Sequence, residues 1–249
     1  MVKIAFVNQK GGVGKTTSAV NVAAGLSMLG RRVLLIDLDP QAHATVSLGL
    51  SPELEKTTFE LLGGSAAASE TIVDRDGLAV IPAGLQLAGA DMRFINEPGR
   101  EILLRSALDG IEYDYILIDC PPSIGLLTMN ALSFATSVYI PFKTEYLPIR
   151  GMDQLTQSIE LIRRRLNPGL SIEGVFGTFY DSRRVIDRDV MDYIKQAFGD
   201  KVFKTAIRSN VALAEAPSVG KTIFEYAPNS HGAADFMALC EEIEGGYNG

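Results

Sequence analysis

Short runs of aliphatic and β-branched residues recur along the chain, separated by stretches with helical periodicity. Because a strand with one solvated face would alternate apolar and polar positions, continuous runs predict strands that are covered on both faces. A first apolar run at 2–7 is followed by such runs at 33–36, 78–81, 115–118, 137–140 and 172–176.

The clearest helical pattern extends from about Gly151 to Leu166, where Leu155, Ile159 and Ile162 form an apolar stripe and an Asn-Pro-Gly sequence ends it. The pattern predicts further helices near 16–29, 98–109, 184–198 and 231–244, and a Gly/Ala/Ser loop at 63–68. Strands that alternate with helices predict an α/β fold with a doubly wound, mostly parallel sheet. Its ligand would lie at the carboxyl ends of the strands.

A glycine-rich segment, Gln-Lys-Gly-Gly-Val-Gly-Lys-Thr-Thr at 9–17, follows the first strand. Glycines allow backbone N–H groups to close around phosphate oxygens, and the next helix adds the partial positive charge of its N-terminus. We expect Lys15 to bridge the outer phosphates and the Thr16 hydroxyl to bind Mg²⁺. Gln9 replaces a glycine of the strict phosphate-loop pattern, and Lys10 is an additional cation. The sequence therefore predicts a nucleoside triphosphate site.

Carboxylates follow two of the apolar strands. Asp37 and Asp39 end the strand at 33–36, and Asp119 ends the strand at 115–118. A carboxylate at this edge can bind Mg²⁺ or orient the water that attacks the γ-phosphate. Asp39 is the better catalytic candidate, while Asp37 has two open interpretations, a structural carboxylate paired with loop backbone or a functional one. We assign Mg²⁺ to Thr16, Asp39 and Asp119.

Composition limits the class of protein. The 249 residues are 47% hydrophobic, with a formal net charge of −7 and two distant cysteines, so neither a disulfide nor a metal site is indicated. We find no signal peptide and no apolar run that approaches the roughly 18 residues of a membrane span. These features predict a cytoplasmic protein, and the charge excludes a general attraction of the whole surface to nucleic acid.

These segments together resemble the ParA/Soj-type partition ATPases, in the deviant Walker A group that also contains MinD. The resemblance covers nearly the whole chain and rests on four segments: the phosphate loop at 10–17, Asp-Leu-Asp-Pro-Gln at 37–41, Ile-Asp-Cys-Pro-Pro at 118–122, and a late signature at 210–221 and 230–233. It implies one ATPase domain over 1–249 without an N-terminal helix-turn-helix extension.

The resemblance also implies ATP and Mg²⁺ as cofactors and a nucleotide-sandwich homodimer in which Lys10 reaches the partner's phosphates. Catalysis would then depend on Lys10, Lys15 and Asp39. The nucleotide would be bound by Lys10, Gly11, Gly12, Val13, Gly14, Lys15, Thr16, Thr17, Arg208 and Asn210, with Asn210 on the adenine side. The ATP-bound dimer would bind DNA non-specifically on the nucleoid, until a ParB-like or cargo-adaptor protein stimulates slow hydrolysis.

The chain departs from the family's pattern where DNA contact is concerned. The family commonly reads Ile-Pro-Arg-Asn-Val-Arg where residues 207–212 read Ile-Arg-Ser-Asn-Val-Ala, so Ser209 and Ala212 replace two arginines. Lys143 replaces a common glutamine, and Pro148 follows a matching Glu145-Tyr146. Candidate DNA contacts are therefore taken from charge alone, and we select Arg183, Arg184, Arg188 and Lys221.

Two alternatives use the same fold. A MinD-like membrane ATPase would end in a basic amphipathic helix, but residues 241–249 are acidic and then glycine-rich, which disfavours membrane binding. A small-molecule ligase would need a further substrate pocket with its own polar residues, which the sequence does not reveal. The cargo, whether plasmid, chromosome region or protein assembly, is not encoded in this chain.

Overall fold

A seven-stranded sheet forms the centre of the computed structural model, which describes residues 1–144 and 149–247. The strand order is β3-β4-β2-β5-β1-β6-β7, and every pairing is parallel except that of β3 with β4. The strands are β1 (Val2–Phe6), β2 (Val33–Asp37), β3 (Val73–Arg75), β4 (Leu78–Ile81), β5 (Tyr115–Asp119), β6 (Ser137–Lys143) and β7 (Ser171–Thr178).

Helices flank the sheet and connect its parallel strands, because parallel neighbours need a crossover connection from one end of the sheet to the other. They are α1 (Lys15–Met28), α2 (His43–Ser47), α3 (Thr58–Leu62), α4 (Ala68–Thr71), α5 (Ala90–Phe94), α6 (Leu103–Ala107), α7 (Leu126–Phe134), α8 (Ile149–Arg165), α9 (Val185–Phe198), α10 (Ala212–Glu215), α11 (Ile223–Tyr226) and α12 (His231–Tyr247). Short 3-10 helices lie at Leu85–Gly89, Arg100–Ile102, Gly199–Lys201 and Ala216–Val219.

The predicted α/β class and mostly parallel sheet are confirmed, and so are the six predicted strands and the four longest predicted helices. The prediction of one helix over 98–109 was wrong, because Gly99 adopts φ 70° and the segment forms a 3-10 turn followed by the short α6. The loop predicted at 63–68 ends one residue early, at the start of α4. The edge strand β3 was missed, because its three residues include two charged ones and carry no apolar run.

Side chains on the two faces of the sheet form separate cores. One core packs α7 and α8 against alternate residues of the central strands, with Ile36, Ile118 and Ile140 fully buried. The other packs α1 and α12 against the opposite face, around Phe6 and Phe236. Burial on both faces explains why the strands have continuous apolar runs.

Strand register determines which polar residues meet at the carboxyl edge. Asp119 lies opposite Phe6 on one side and Asp37 on the other. The phosphate loop leaves β1 between these acidic strand ends and the end of β6, so the residues singled out in the sequence meet at the edge where open α/β sheets bind ligands.

Candidate active site

The phosphate loop joins β1 to the N-terminus of α1. Gly12 and Gly14 have φ values of 71° and 83°, in the left-handed region that a side chain would strain. Gly14 is the N-cap of α1 and supplies no side-chain cap, so the first N–H groups of this 14-residue helix are available to an anionic ligand. The backbone therefore has the conformation that a phosphate-binding loop requires.

The two lysines of the loop differ in their environment. Lys15 is 7% exposed, and its Nζ donates to the Lys10 carbonyl oxygen at 3.4 Å. Burial lowers the pKa of Lys15, and the nearby Asp119, Cys120 and Asp39 oppose that shift. Lys10 itself is exposed. Lys15 thus faces the interior of the site, and Lys10 lies where a second molecule could reach it.

Asp37 is fully buried and its carboxylate is used within the chain. Its Oδ1 accepts from the Asp39 N–H at 3.0 Å, and its Oδ2 accepts from both the N–H and the hydroxyl of Thr45, at 2.8 and 2.7 Å. These bonds favour the structural interpretation, because Asp37 fixes the turn that leads from β2 into α2. Burial nevertheless raises the pKa of Asp37 to about 6, against the lowering effect of these bonds.

Asp39 lies two residues further, where the chain has left the strand. It is 7% exposed, and its Oδ1 accepts from the Gln41 N–H at 3.0 Å. Asp39 contributes electrostatically to the shifted pKa values of both Lys15 and Asp119. It is thus close enough to the site to act on a ligand there.

Asp119 lies fully buried, and neither of its carboxylate oxygens has a hydrogen-bond partner among the described residues. Burial, followed by the negative charge of Asp37, raises its pKa well above the usual range, while the Thr16 hydroxyl and Lys15 lower it. An unpartnered buried carboxylate beside a threonine hydroxyl fits Mg²⁺, which takes one or two protein oxygens and completes its shell with water and phosphate.

No group of three or more His, Cys, Asp or Glu that could bind a metal alone occurs within 1–144 and 149–247. Both cysteines are free and buried, as the sequence predicted, and burial raises the pKa of the Cys120 thiol beside this site.

A cavity of about 150 Å³ opens beside the phosphate loop. It brings together residues that are far apart in sequence: Gly14, Thr17 and Ser18 of the loop and α1, Thr178 and Phe179 at the end of β7, and Ile207, Arg208, Asn210, Leu213, Ala214 and Phe236. The lining is mostly apolar, as expected for the pocket of a planar base. Arg208 and Asn210, both of which the sequence assigns to nucleotide binding, line this cavity.

Arg208 and Asn210 are held by their own neighbours. Asp235 of α12 accepts from Arg208 Nη2 at 2.6 Å and from Nε at 2.9 Å, and Asn210 Oδ1 accepts from the Ala212 N–H at 2.9 Å. Asp235 was not predicted from the sequence as a site residue, and neither was Thr178, whose Oγ1 lies 2.9 Å from the Val13 carbonyl oxygen. Neither residue belongs to a motif, so only the folded chain shows its role.

The candidate DNA contacts lie in two places. Arg183, Arg184 and Arg188 lie between β7 and the first turn of α9, at the carboxyl edge of the sheet. Lys221 follows Gly220, which contacts Gly49 and the side chain of Arg75 in the opposite edge strand β3. Six strand spacings of about 4.8 Å separate β3 from β7, roughly 29 Å. Within one chain, therefore, Lys221 is not part of the arginine surface.

The three arginines also have local partners. Asp181 accepts from Arg183 Nε at 2.9 Å and from Nη2 at 2.8 Å, and Arg188 Nη1 donates to the Ser182 carbonyl oxygen at 2.7 Å. The pKa of Asp181 is lowered by these bonds to Arg183.

The match at Glu145-Tyr146 and the departure at Pro148 lie outside the described residues. No helix in the described ranges is long and apolar enough to cross a membrane.

This arrangement of phosphate loop and acidic strand ends, with an apolar cavity beside them, defines a P-loop ATPase of the deviant Walker A type. A family model described as "AAA domain" matches residues 1–172. The sporulation initiation inhibitor protein Soj of Bacillus subtilis is 45% identical over 245 residues, which cover 96% of this chain and 97% of that protein. The chromosome-partitioning ATPase Soj of Treponema pallidum is 43% identical, covering 96% of each chain. The chain belongs to the Soj/ParA family of chromosome-partitioning ATPases.

A solved structure agrees with this fold. Cobyrinic acid a,c-diamide synthase from Mycobacterium smegmatis, crystallised with an ATP analogue and magnesium, superposes with a TM-score of 0.87 at 36% identity. The alignment covers 97% of this chain and 93% of that one. The protein is thus an ATPase by family, with the P-loop fold that its sequence predicted.

Proposed function

We propose that this protein positions DNA or another cargo by an ATP-driven cycle. Residues 1–249 act as one ATPase domain that binds ATP with Mg²⁺ and pairs into a sandwich dimer. The dimer binds DNA without sequence preference and leaves it when a ParB-like or cargo-adaptor protein stimulates hydrolysis. The family membership supports partition as the role, and this cycle would associate the protein with the nucleoid.

The observation that carries the proposal is the difference between a buried and an exposed lysine in one phosphate loop. Lys15 is buried in its own site, next to Asp119 and Asp39, whereas Lys10 is exposed on the same loop. Two such loops facing each other would give each nucleotide a second cation from the opposite molecule. This arrangement explains why a loop with one buried lysine has another five residues earlier.

Each residue at the site has a defined task in the proposed reaction. Bound Mg²⁺ would neutralise charge on the outer phosphates, held by the Thr16 hydroxyl and the carboxylates of Asp119 and Asp39. Lys15 and the N–H groups of α1 position the phosphates. Asp39, near the end of β2, orients the attacking water, while Arg208 and Asn210 orient the base.

The decisive experiment uses Asp39→Ala. We expect the variant to bind ATP and dimerise, because the carboxylate acts on water more than on binding, while turnover falls by about 100-fold. Light scattering should show a persistent dimer that remains on DNA with ATP and leaves with ADP. Wild-type protein that stays monomeric with ATP, or that shows no ATP-dependent DNA affinity at low salt, would contradict the proposal.

One observation supports a second candidate function. The solved structure at 36% identity is described as an amide-forming synthase, and a ligase on this fold would use ATP to activate a carboxylate. The two functions differ in what they require for turnover. A partition ATPase is stimulated by DNA and a partner protein, whereas a synthase consumes ATP only with its carboxylate and an amino donor. ATP hydrolysis measured with and without DNA separates them.

A further inference from the structure

Phe179 has a backbone conformation that phenylalanine rarely adopts. Its φ is 55°, in the left-handed region that brings Cβ too close to the backbone of any residue except glycine. Strain of this kind persists only where the surrounding structure holds the residue on both sides, and it occurs preferentially at functional sites.

Both neighbours of Phe179 are fixed. The Thr178 hydroxyl lies 2.9 Å from the Val13 carbonyl oxygen and 3.0 Å from that of Phe142, which ties the end of β7 to the phosphate loop and to β6. On the other side, the Tyr180 N–H donates to the Ile207 carbonyl oxygen at 3.0 Å. The chain must therefore turn at Phe179 itself, and the strain is the result.

The turn puts the phenyl ring beside the nucleotide site. Phe179 lines the 150 Å³ cavity, and its Cε2 lies 3.9 Å from where a Cβ on Gly14 would be. The Nζ of Lys143 lies 4.8 Å from the ring centroid, within the range of a cation–π contact. Phe179 is nevertheless 38% exposed, which is unusual for a large aromatic residue beside a core strand.

We propose that Phe179 is a base-binding residue whose strained backbone presents its ring as a stacking surface for the adenine of ATP. This inference rests on the proposed function and goes beyond the motif residues. An apolar cavity of about 150 Å³ can hold a benzene-sized ring, and this one is open on one side. Arg208, held by Asp235, supplies a second planar group at the same cavity.

The chemistry of the ring defines what it recognises. Stacking on an aromatic ring is available to every base and selects for a planar base rather than for its hydrogen-bonding edge. Phe179 would therefore contribute to the affinity for ATP and ADP alike, and nothing to the binding of a triphosphate without a base.

The test compares ATP with inorganic tripolyphosphate in calorimetric titrations of wild type, Phe179→Ala, Phe179→Gly and Phe179→Trp. We expect Phe179→Ala and Phe179→Gly to lose about tenfold in ATP affinity, at the lower end of the usual loss on removing a stacking residue. Phe179→Trp keeps near wild-type affinity. Tripolyphosphate should bind all four proteins equally.

Urea unfolding of the nucleotide-free proteins supplies the control for folding. Phe179→Gly should have a higher midpoint than Phe179→Ala, because glycine adopts the left-handed conformation without strain while alanine does not. The two variants would then differ in stability but share the loss of ATP affinity.

Four results would overturn the inference. Unchanged ATP affinity in Phe179→Ala would show that the ring does not contact the base. An equal loss for ATP and tripolyphosphate would show that the ring only supports the phosphate loop. If wild-type protein bound tripolyphosphate as tightly as ATP, the base would add no affinity. That result would exclude base stacking but would leave the phosphate site intact. Failure of wild type to bind either ligand would overturn the proposed function as well.

Discussion

At the scale of single residues, Asp119 carries an energetic cost in the absence of ligand. Its carboxylate is fully buried without a hydrogen-bond partner among the described residues, and removing a charge from water in this way is unfavourable unless a cation compensates it. The native chain therefore keeps a destabilising group at the point where the proposed Mg²⁺ would bind. The buried carboxylate thus lowers the stability of the ligand-free protein, and it is already in place to bind a cation.

Asp119→Asn should stabilise the nucleotide-free protein at neutral pH. The folded-state pKa of Asp119 is raised above the unfolded value, so the folded protein binds more protons and the wild type loses stability as pH rises. The free-energy difference between Asp119→Asn and wild type should be small below about pH 4. It should then grow by up to about 1.4 kcal/mol per pH unit, until the folded-state pKa is passed. Urea unfolding at several pH values measures this difference.

Asp37→Asn is the matched control for Asp119→Asn. The carboxylate of Asp37 accepts three hydrogen bonds, and an amide nitrogen cannot replace an accepting oxygen. An unsatisfied buried donor costs about 1–3 kcal/mol, and this cost opposes the gain from removing a carboxylate whose pKa burial raises to about 6. We therefore expect Asp37→Asn to be less stable than Asp119→Asn near neutral pH. If both substitutions had the same effect, the difference in their hydrogen bonding would not be the cause.

The two lysines of the phosphate loop should fail in different ways. Lys15→Ala removes the buried cation, so nucleotide affinity and ATP-dependent dimerisation should both be lost in calorimetry and light scattering. Lys10→Ala should still bind ATP, while dimer-dependent hydrolysis falls by about 100-fold, the usual loss on removing one charge-stabilising group. Normal dimerisation and turnover in Lys10→Ala would make Lys10 an ordinary surface lysine.

At the scale of elements, two loops meet behind the active site without intervening side chains. The loop after α2 contacts the loop before α11 at Gly49 and Gly220, where a Cβ on Gly220 would lie 2.6 Å from the Gly49 Cα. Arg75 of β3 holds both loops: its Nε donates to the Leu48 carbonyl oxygen at 3.0 Å, and its Nη2 donates to that of Gly220 at 3.1 Å. The loop at Gly49, which follows Asp37 and α2, is thus attached to the loop at Gly220, which follows the residues that line the cavity.

Gly220→Ala should destabilise the protein by at least about 2 kcal/mol, because it adds a steric clash to the strain of φ 65°. Gly64→Ala is the control. Gly64 has nearly the same φ, 68°, and nothing within 4 Å of its Cβ position, so only the backbone strain of about 1 kcal/mol should remain. Chemical denaturation measures both. Equal losses would show that the contact between the loops contributes nothing.

At the scale of the whole molecule, a net charge of −7 means that any DNA affinity must come from a local basic surface. Arg183, Arg184 and Arg188 form one at the carboxyl edge of the sheet, the edge at which the phosphate loop lies. The arginines at 163–165 end α8, which leads into the start of β7 and so lies at the other edge. The topology therefore separates two basic groups that look equivalent in the sequence.

Single substitution of Arg183, Arg184 or Arg188 by Gln should weaken ATP-dependent binding similarly on two unrelated duplexes, and each should lower the salt dependence by about one unit. Asp181→Asn should act in the opposite direction, since it removes the carboxylate that pairs with Arg183. Arg164→Gln, at the other edge, is the control and should change nothing. Salt titrations of DNA binding with ATP and ADP measure these effects. If only Arg164→Gln lost DNA affinity, DNA would bind at the edge of the sheet where α8 ends, and the assignment to the three arginines would be wrong.

The sequence by itself determined six of the seven strands in the described sheet, the phosphate loop and the acidic strand ends, because each depends on local pattern. A continuous apolar run reports burial on both faces, and glycine spacing reports the backbone around a phosphate. These signals were enough to predict the parallel sheet, the site at its carboxyl edge and the family.

Tertiary structure decided what depends on contacts between distant segments. The Asp37 carboxylate accepts three hydrogen bonds, whereas that of Asp119 accepts none from the described residues. Their equivalent positions at the ends of two strands do not show this difference. Phe179 lies near Arg208 and the phosphate loop only because Thr178 and Tyr180 are anchored to other strands and loops. Local sequence specifies the backbone of each element, whereas burial, charge pairing and the cavity arise when those elements pack together.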